Sequence, residues 1–123
     1  MPIVDLSLHG KVALVTGGSK GIGRAIALGF AEHGADICLA ARSPGPLQAT
    51  AQEVRDLGRR AFTVPADMAC DADIEALASA TIDEFGGVDI LVNNAGLGAF
   101  SSIYEATAQE FLDTMRINVW APL

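Results

Sequence analysis

The chain has 123 residues, half of them hydrophobic, and its 15 acidic and 8 basic residues give a formal net charge of −7. This length predicts one domain with a substantial core, and the acidic balance without a Lys/Arg cluster argues against nucleic-acid binding. No apolar run approaches the roughly 18 to 20 residues of a membrane span, no signal-peptide pattern opens the chain, and two cysteines are too few for a disulfide framework or a metal cluster. We therefore expect a cytoplasmic protein with no nucleic-acid partner, membrane partner or metal.

Short apolar runs alternate along the chain with amphipathic segments. Four runs have the pattern of strands buried on both faces, and they cover residues 12–15, 37–41, 61–64 and 88–92. Cys38 lies inside the second run, which predicts a small buried hydrophobe rather than a reactive thiol.

Each predicted strand is followed by apolar residues at helical spacing. The first helix ends at Gly34, and its apolar face is formed by Ile22, Ala25, Ile26, Gly29 and Phe30. The second helix begins at Ser43-Pro44 and ends at Gly58, and its apolar residues are Leu47, Ala51, Val54 and Leu57.

The third and fourth helices are defined by their starts. Asp71 is the predicted N-cap of the third helix, which ends at Gly86-Gly87 and carries Ile74, Leu77, Ala78, Ile82 and Phe85. Thr107 and Glu110 form a capping box that opens the last helix, whose apolar residues are Phe111, Met115 and Val119. Strand and helix thus alternate four times. This order predicts parallel strands joined by crossovers, that is, an open α/β sheet with helices on both faces.

Four glycines separate the first strand from the first helix in the stretch VTGGSKGIGRAIA. In an open α/β sheet, ligands bind outside the carboxyl ends of the strands. Gly17 and Gly18 are predicted to take backbone angles that other residues avoid, making a tight exit from the strand. Gly21 would let a ligand approach the main chain, and Gly23 would let the helix pack closely on the sheet. The free amides at the start of this helix favour a pyrophosphate, and a plain tight turn is the alternative.

Two motifs in this order resemble the short-chain dehydrogenase/reductase family. Gly17, Gly21 and Gly23 give the spacing T-G-x-x-x-G-x-G, and Asn93-Asn94-Ala95-Gly96 follows the fourth strand. The resemblance extends from about Leu8 to the last residue. It implies a single NAD(P)-binding Rossmann domain over residues 1–123, doubly wound with strand order 3-2-1-4 and truncated after the fourth βα unit, so that the chain is the N-terminal part of such an enzyme. The T-G-x-x-G-x-x-G spacing usual in the related epimerase-type enzymes is not present.

The residues at the end of the second strand are expected to determine the preference for NADP(H) or NAD(H). In the family, an acidic residue there accepts hydrogen bonds from the adenosine ribose and favours NAD. This sequence has Ala41 at that position, followed by Arg42, whose planar fork of donors suits a phosphate. Lys20 in the glycine turn adds a second cation. These residues favour NADP(H), with NAD(H) as the alternative and an ordinary solvated Arg42 as the simpler interpretation.

The resemblance also implies contacts to the adenine and the ribose. Asp67 would accept from the adenine amino group and Met68 would contribute its backbone, although Asp67 could instead be only a helix-entry residue. The asparagines of the Asn93–Gly96 motif are less certain contacts, because part of that motif's task is to tie strand ends together. The predicted cofactor-binding residues are Gly17, Gly18, Ser19, Lys20, Gly21, Ile22, Gly23, Arg42, Asp67, Met68, Asn93, Asn94, Ala95 and Gly96.

The catalytic set that the resemblance implies is incomplete in this sequence. Family enzymes use a serine, a tyrosine with a lysine four residues later, and an asparagine that anchors a water of the proton relay. Tyr104 is the only tyrosine here and is followed four residues later by Ala108, so the Tyr-x-x-x-Lys pair is absent. Asn118 matches the family asparagine and is the one candidate catalytic residue; a polar residue on the helix surface is the alternative.

We therefore expect the nucleotide-binding part of an oxidoreductase that interconverts a small-molecule carbonyl and an alcohol by hydride transfer. A non-catalytic NADP(H)-binding or regulatory module that ends at Leu123 is the rival interpretation. A coding region that continues in frame to a serine and Tyr-x-x-x-Lys would distinguish the two. A flavodoxin-like or other nucleotide-binding α/β domain would share the fold but not both motifs.

The 123 residues alone are expected to be catalytically inactive and to self-associate. The fourth strand would be an open edge, and the last helix would expose apolar residues such as Phe111, Met115 and Trp120. In the full-length enzyme, the resemblance implies a homo-oligomer. The sequence does not indicate which substrate is used.

Overall fold

A computed structural model describes residues 5–98 and 101–123, so the first four residues of the N-terminal segment lie outside the described part. The strands are β1 (Val12–Thr16), β2 (Asp36–Ala41), β3 (Ala61–Pro65) and β4 (Ile90–Val92). The helices are α1 (Gly21–Glu32), α2 (Pro44–Asp56), α3 (Asp71–Phe85) and α4 (Ala108–Met115), and a π-helical turn, Arg116–Trp120, continues α4. The predicted alternation of strand and helix is confirmed.

The strands form one parallel sheet in the order β3-β2-β1-β4. Leu14 at the middle of β1 lies opposite Cys38 on one side and Leu91 on the other. The strand order therefore reverses after β1, and the carboxyl ends of all strands lie along one edge of the sheet. This confirms the order 3-2-1-4, and it puts the glycine turn at the edge where such sheets bind ligands.

Successive strand residues point to opposite faces, and helices cover both. On the first face, Val15, Ile37 and Leu39 pack with α1 and α2, which contribute Ala27, Ala31, Leu47, Ala51 and Val54. On the second face, Leu14, Cys38 and Ala40 pack against Leu77 of α3. The sheet is thus the middle layer of three, as the alternating apolar runs predicted.

The buried face of α1 is offset by one residue from the predicted apolar face. The side of α1 that is buried consists of Gly23, Ala27 and Ala31, whereas Ile22 is 72% exposed. Small residues let the helix lie close to the sheet, and the larger side chains then fall at the flanks of the contact. Of the predicted residues, Phe30 is half-buried and packs against the core. Hydrophobicity alone favours the large residues, so the sequence pattern placed the buried row one residue too early.

The start of α3 and the start of β4 also differ from the prediction. Cys70 is the N-cap of α3 and makes no side-chain capping bond, so Asp71 is the first helical residue. Asp89 precedes β4, where its carboxylate accepts from the Val12 amide at 2.8 Å and its own amide donates to the Val12 carbonyl at 2.9 Å. This exchange aligns β4 with β1 through a side chain.

The last helix is capped as predicted and largely exposed. Thr107 and Glu110 form both bonds of the capping box, but Phe111 is 64% and Trp120 56% exposed. β4 lies at the end of the strand order, and self-association of the 123-residue chain stays a prediction. Within the described residues, no helix combines the length and the apolar character needed to cross a bilayer.

The two cysteines lie in opposite environments. Cys38 is completely buried, with its sulfur 3.3 Å from the Thr81 hydroxyl, whereas Cys70 is exposed. Burial raises the pKa of the Cys38 thiol, because the interior disfavours the thiolate. The prediction that Cys38 is a buried small residue is confirmed.

We expect one fast and one slow thiol when the folded protein is titrated with a disulfide reagent at pH 8. Cys70 should react at once, and Cys38 only after denaturation, because the thiolate is the reacting species. A Cys70→Ser variant is the matched control and should show no fast reaction. Rapid modification of Cys38 in that variant would contradict the packing of the second face.

Candidate functional site

A cleft of about 490 Å³ lies at the carboxyl edge of the sheet. It is bordered by the segments that leave all four strands and by the start of α1. Most of the predicted binding residues line it, namely Gly17, Ser19, Lys20, Gly21, Ile22, Arg42, Asp67, Met68, Asn94, Ala95 and Gly96. Gly18, Gly23 and Asn93 do not.

The glycine turn is shaped by backbone angles at two positions. Gly17 has φ 67° and Gly21 has φ 59°, values that L-residues rarely adopt. A Cβ on Gly21 would meet nothing within 4 Å, so the backbone there is open to the cleft. Gly18 does not take a left-handed angle, contrary to the prediction. A Cβ there would lie 2.6 Å from Cδ2 of the buried Leu39, so a larger residue would force that side chain to move.

Gly23 is the point of closest approach between α1 and the strand ends. A Cβ there would lie 2.2 Å from the Gly17 carbonyl oxygen and 2.5 Å from Nδ2 of Asn94. Asn94 donates from Nδ2 to that same carbonyl at 3.2 Å. The first turn of α1 therefore rests on the glycine turn and on the segment after β4, which leaves no room for a side chain.

In the part of the chain that the structure describes, the first amides of α1 have no hydrogen-bond partner. The first hydrogen bond of the helix runs from the Arg24 amide to the Lys20 carbonyl at 3.3 Å, so the three preceding helical amides have no intrahelical partner. The N-cap, Lys20, supplies no capping bond, and the first turn contains no acidic residue. Together with the helix dipole, these amides form a cradle suited to an anion.

Two cations line the cleft near this cradle. Lys20 and Arg42 both face it and are exposed. Within residues 5–98 and 101–123, neither forms an ion pair, whereas Arg24 pairs with Glu53, which raises the pKa of Arg24 through the hydrogen bond and the opposite charge. Among the described residues, no ion pair neutralises these two positive charges of the cleft, although the chain as a whole is acidic.

The segment after β3 brings Asp67 and Met68 to the opposite wall. The Ala66 amide donates to the Ala41 carbonyl at 2.9 Å, which holds the ends of β3 and β2 together. Asp67 accepts from the Ala69 amide through Oδ1 at 2.9 Å and is half-buried. The residues predicted to read the adenosine part of a dinucleotide therefore lie on adjacent strand ends.

Thr16 ties the ends of β1 and β4 together, and sequence analysis missed it. Its hydroxyl donates to the Val92 carbonyl at 3.3 Å and accepts from the amides of Asn94 and Ala95, each at 3.1 Å. It is 6% exposed. A hydroxyl residue at the end of an otherwise apolar strand was the available signal.

Asn118 is fixed to the same region by a pair of side-chain bonds. Its Oδ1 accepts from the Leu97 amide and its Nδ2 donates to the Leu97 carbonyl, both at 2.8 Å. Asn118 lies within the π-helical turn. The amide side chain thus bonds both backbone polar groups of Leu97, just beyond the Asn93–Gly96 motif, and Leu97 itself lines the cleft.

Thr50 links α2 to the glycine turn and was also missed. Its side chain is almost fully buried, and its hydroxyl donates to the carbonyl of Ser19 at 3.3 Å and of Pro46 at 3.4 Å. Thr50 is far from the glycines in sequence, and only the packing of α2 beside α1 brings them together.

Asn93, a predicted binding residue, and Tyr104, the tyrosine of this sequence, both lie outside the cleft lining. Asn93 instead borders a second, apolar cavity of about 200 Å³, which Leu14, Leu77 and Leu123 also line. Tyr104 is 96% exposed and borders neither cavity.

The sequence and the fold both match known proteins. Residues 11–123 match the family model described as short chain dehydrogenase. The chain is 39% identical over 113 residues to L-rhamnose 1-dehydrogenase (NAD(P)(+)) of a Sphingomonas species, which covers 91% of this chain and 44% of that protein.

Solved structures agree with this match. The crystal structure of L-sorbose reductase from Gluconobacter frateurii, complexed with NADPH and L-sorbose, superposes with a TM-score of 0.92 at 40% identity, over 97% of this chain and 46% of the other. A blue fluorescent protein from a metagenomic library, in complex with NADPH, gives 0.89 at 43% identity, over 94% and 48%.

The chain therefore spans a little less than half the length of these relatives. The match covers both motifs, all four strands and the cleft that they border. The chain belongs to the short-chain dehydrogenase family of oxidoreductases.

Proposed function

We propose that this chain is the NADP(H)-binding part of an oxidoreductase that interconverts a small-molecule carbonyl and an alcohol. The observation that carries the proposal is the start of α1, where free amides, an uncapped N-terminus and a bare Gly21 meet at the cleft. A pyrophosphate suits this cradle, since the amide donors are in place and Gly21 leaves its main chain open to the cleft.

The preference for NADP(H) rests on the end of β2. Ala41 offers no carboxylate to repel a 2′-phosphate, and Arg42 and Lys20 border the cleft without an ion pair among the described residues. Two similar proteins were solved with NADPH bound. NAD(H) is the alternative, and L-rhamnose 1-dehydrogenase carries both cofactors in its name.

The remaining cleft residues are assigned to the rest of the dinucleotide. Asp67 accepts from the adenine amino group, Met68 contributes its backbone, and Ala95 and Gly96 leave space for the nicotinamide ribose. Asn94 supports the glycine turn, since its side chain already donates to the Gly17 carbonyl. Bound NADP(H) supplies or accepts the hydride.

Asn118 is proposed to position the proton-transfer machinery. Its paired bonds hold the backbone of Leu97 at the border of the cleft and so fix the π-helical turn beside it. The proton donor itself is not assigned to these 123 residues, because Tyr104 is exposed and has no lysine four residues later.

We further propose that the full-length protein is a cytoplasmic homo-oligomer. The support is the resemblance to family members that assemble through their fourth and fifth helices, together with the exposed apolar residues of α4.

Cofactor choice should change with Ala41 and Arg42. In the full-length protein, Ala41→Asp with Arg42→Ala should weaken NADPH binding more than about tenfold and strengthen NADH binding. The variant loses hydrogen bonds to a charged group, worth roughly 1.5 to 3 kcal/mol each, and gains a carboxylate that repels the 2′-phosphate. Calorimetric titration with both cofactors measures this.

Lys11→Ala is the matched control for charge. It removes one cation at the opposite edge of the sheet, before β1, and should leave both affinities unchanged. NADPH affinity that is equal in the double variant and the wild type would refute the assignment.

Gly21 should tolerate no branched side chain. Gly21→Val should abolish measurable NADPH binding, because the side chain would project into the space proposed for the pyrophosphate. Gly58→Val is the control, since Gly58 also has a positive φ of 82° and open space around it but lies beyond α2, away from the cleft. The two variants should lose similar thermal stability, and only Gly21→Val should lose binding. Normal NADPH binding by Gly21→Val would be evidence against the cradle.

Asn118→Ala should lower kcat by about tenfold or more while leaving the Kd for NADPH nearly unchanged, because the bonds that it breaks hold main chain near the proton path. Steady-state kinetics of the full-length protein, combined with cofactor titration, separate the two quantities. A variant that loses cofactor affinity but keeps kcat would assign Asn118 to the binding scaffold instead.

A further inference from the structure

Asp67 is held in place by three hydrogen bonds within seven residues of chain. Its amide donates to Oδ2 of Asp73 at 2.8 Å, its Oδ1 accepts from the Ala69 amide at 2.9 Å, and its carbonyl accepts from the Cys70 amide at 2.9 Å. The last two bonds are local to the turn. The bond to Asp73 is different, because it anchors the turn to the first turn of α3.

The position of Asp73 in α3 explains why its carboxylate is available. Asp73 is the third residue of the helix, where an acidic side chain commonly reaches back to the N-cap amide in a capping box. Here the N-cap is Cys70, which gives no side-chain capping bond, and its amide is already used by the Asp67 carbonyl. The carboxylate of Asp73 therefore reaches past the N-cap to the amide of Asp67.

The carboxylate of Asp67 has one oxygen that is available to a ligand in the cleft. One oxygen is occupied by Ala69, and in the parts of the chain that the structure describes the other accepts no hydrogen bond. Asp67 lines the cleft and is half-buried, so this oxygen is an available acceptor on a residue of the cleft wall. Its direction depends on the backbone of Asp67, which Asp73 fixes.

We propose that Asp73 is a positioning residue for base recognition, and that its carboxylate orients Asp67 to select an exocyclic amino group on the bound base. This inference rests on the proposed function, which assigns the adenine to Asp67. A merely structural role for Asp73, as an acidic residue near the helix dipole, predicts a loss of stability without a change in base selection.

The test compares NADPH with its hypoxanthine analogue, in which a carbonyl oxygen replaces the adenine amino group. The full-length wild type should bind NADPH about tenfold or more tightly than the analogue, because the analogue sets an acceptor against the carboxylate. Asp73→Ala should reduce this ratio to less than about threefold, through weaker binding of NADPH. Fluorescence titration of the reduced dinucleotides gives both constants.

Asp73→Asn is the matched variant. It loses the same charge but keeps an oxygen acceptor for the Asp67 amide, so the base selectivity of the wild type should be retained. Asp71→Asn removes the other acidic charge of the first turn of α3 and should also retain it. Hydrogen exchange at the Asp67 amide, measured by mass spectrometry with residue-level fragmentation, should accelerate in Asp73→Ala alone.

The possible outcomes separate this inference from the proposed function. Wild-type selectivity in Asp73→Ala would overturn the inference alone, as would equal loss in Asp73→Ala and Asp73→Asn, which would assign the effect to charge. Equal affinity of the wild type for the two dinucleotides would overturn the role of Asp67 and the inference with it. A wild type that binds neither dinucleotide would overturn the proposed function itself.

Discussion

The close approach at Gly23 is the constraint on which the rest of the site depends. The oxygen of Gly17 and the amide of Asn94 lie where a side chain of Gly23 would have to be, at 2.2 and 2.5 Å from its Cβ position. Such contact is possible only for a residue without a side chain. It joins the exit of β1, the start of α1 and the exit of β4 in one contact. Because α1 begins there, its free amides face the cleft.

Polar groups around the cleft divide into those that hold the scaffold and those that stay available. The side chains of Thr16 and Asn94 form hydrogen bonds with main chain at the strand ends, and the side-chain amide of Asn118 is bonded to Leu97. By contrast, Lys20 and Arg42 form no ion pair within the described residues. This division matters because a group already bonded to the main chain gains little from a ligand, whereas an uncommitted charge can stabilise one.

The helix starts show the same division. Thr107 and Glu110 cap α4 fully, whereas α1 has no side-chain cap and no acidic residue in its first turn. An N-cap contributes typically about 1 kcal/mol to stability. The start of α1 lacks this stabilising interaction, and a bound phosphate would supply one in its place. Ligand binding would therefore stabilise the turn.

Much of the fold was predictable from the sequence because it depends on local rules. Apolar runs alternating with helical periodicity required parallel strands, and the T-G-x-x-x-G-x-G and Asn93–Gly96 motifs indicated the family and the edge of the sheet where a ligand would bind. The capping box at Thr107 is a contact between residues three apart, so the sequence contains all of it. Only the tertiary structure decided which face of α1 is buried, that Gly18 lies against the Leu39 side chain without a left-handed backbone angle, and that Asn93 borders the second cavity instead of the cleft. It also brought Thr50 to Ser19 and Asp73 to the amide of Asp67. These contacts depend on the distance between packed elements and on the direction of each side chain, and neither quantity can be read from local residue type and spacing.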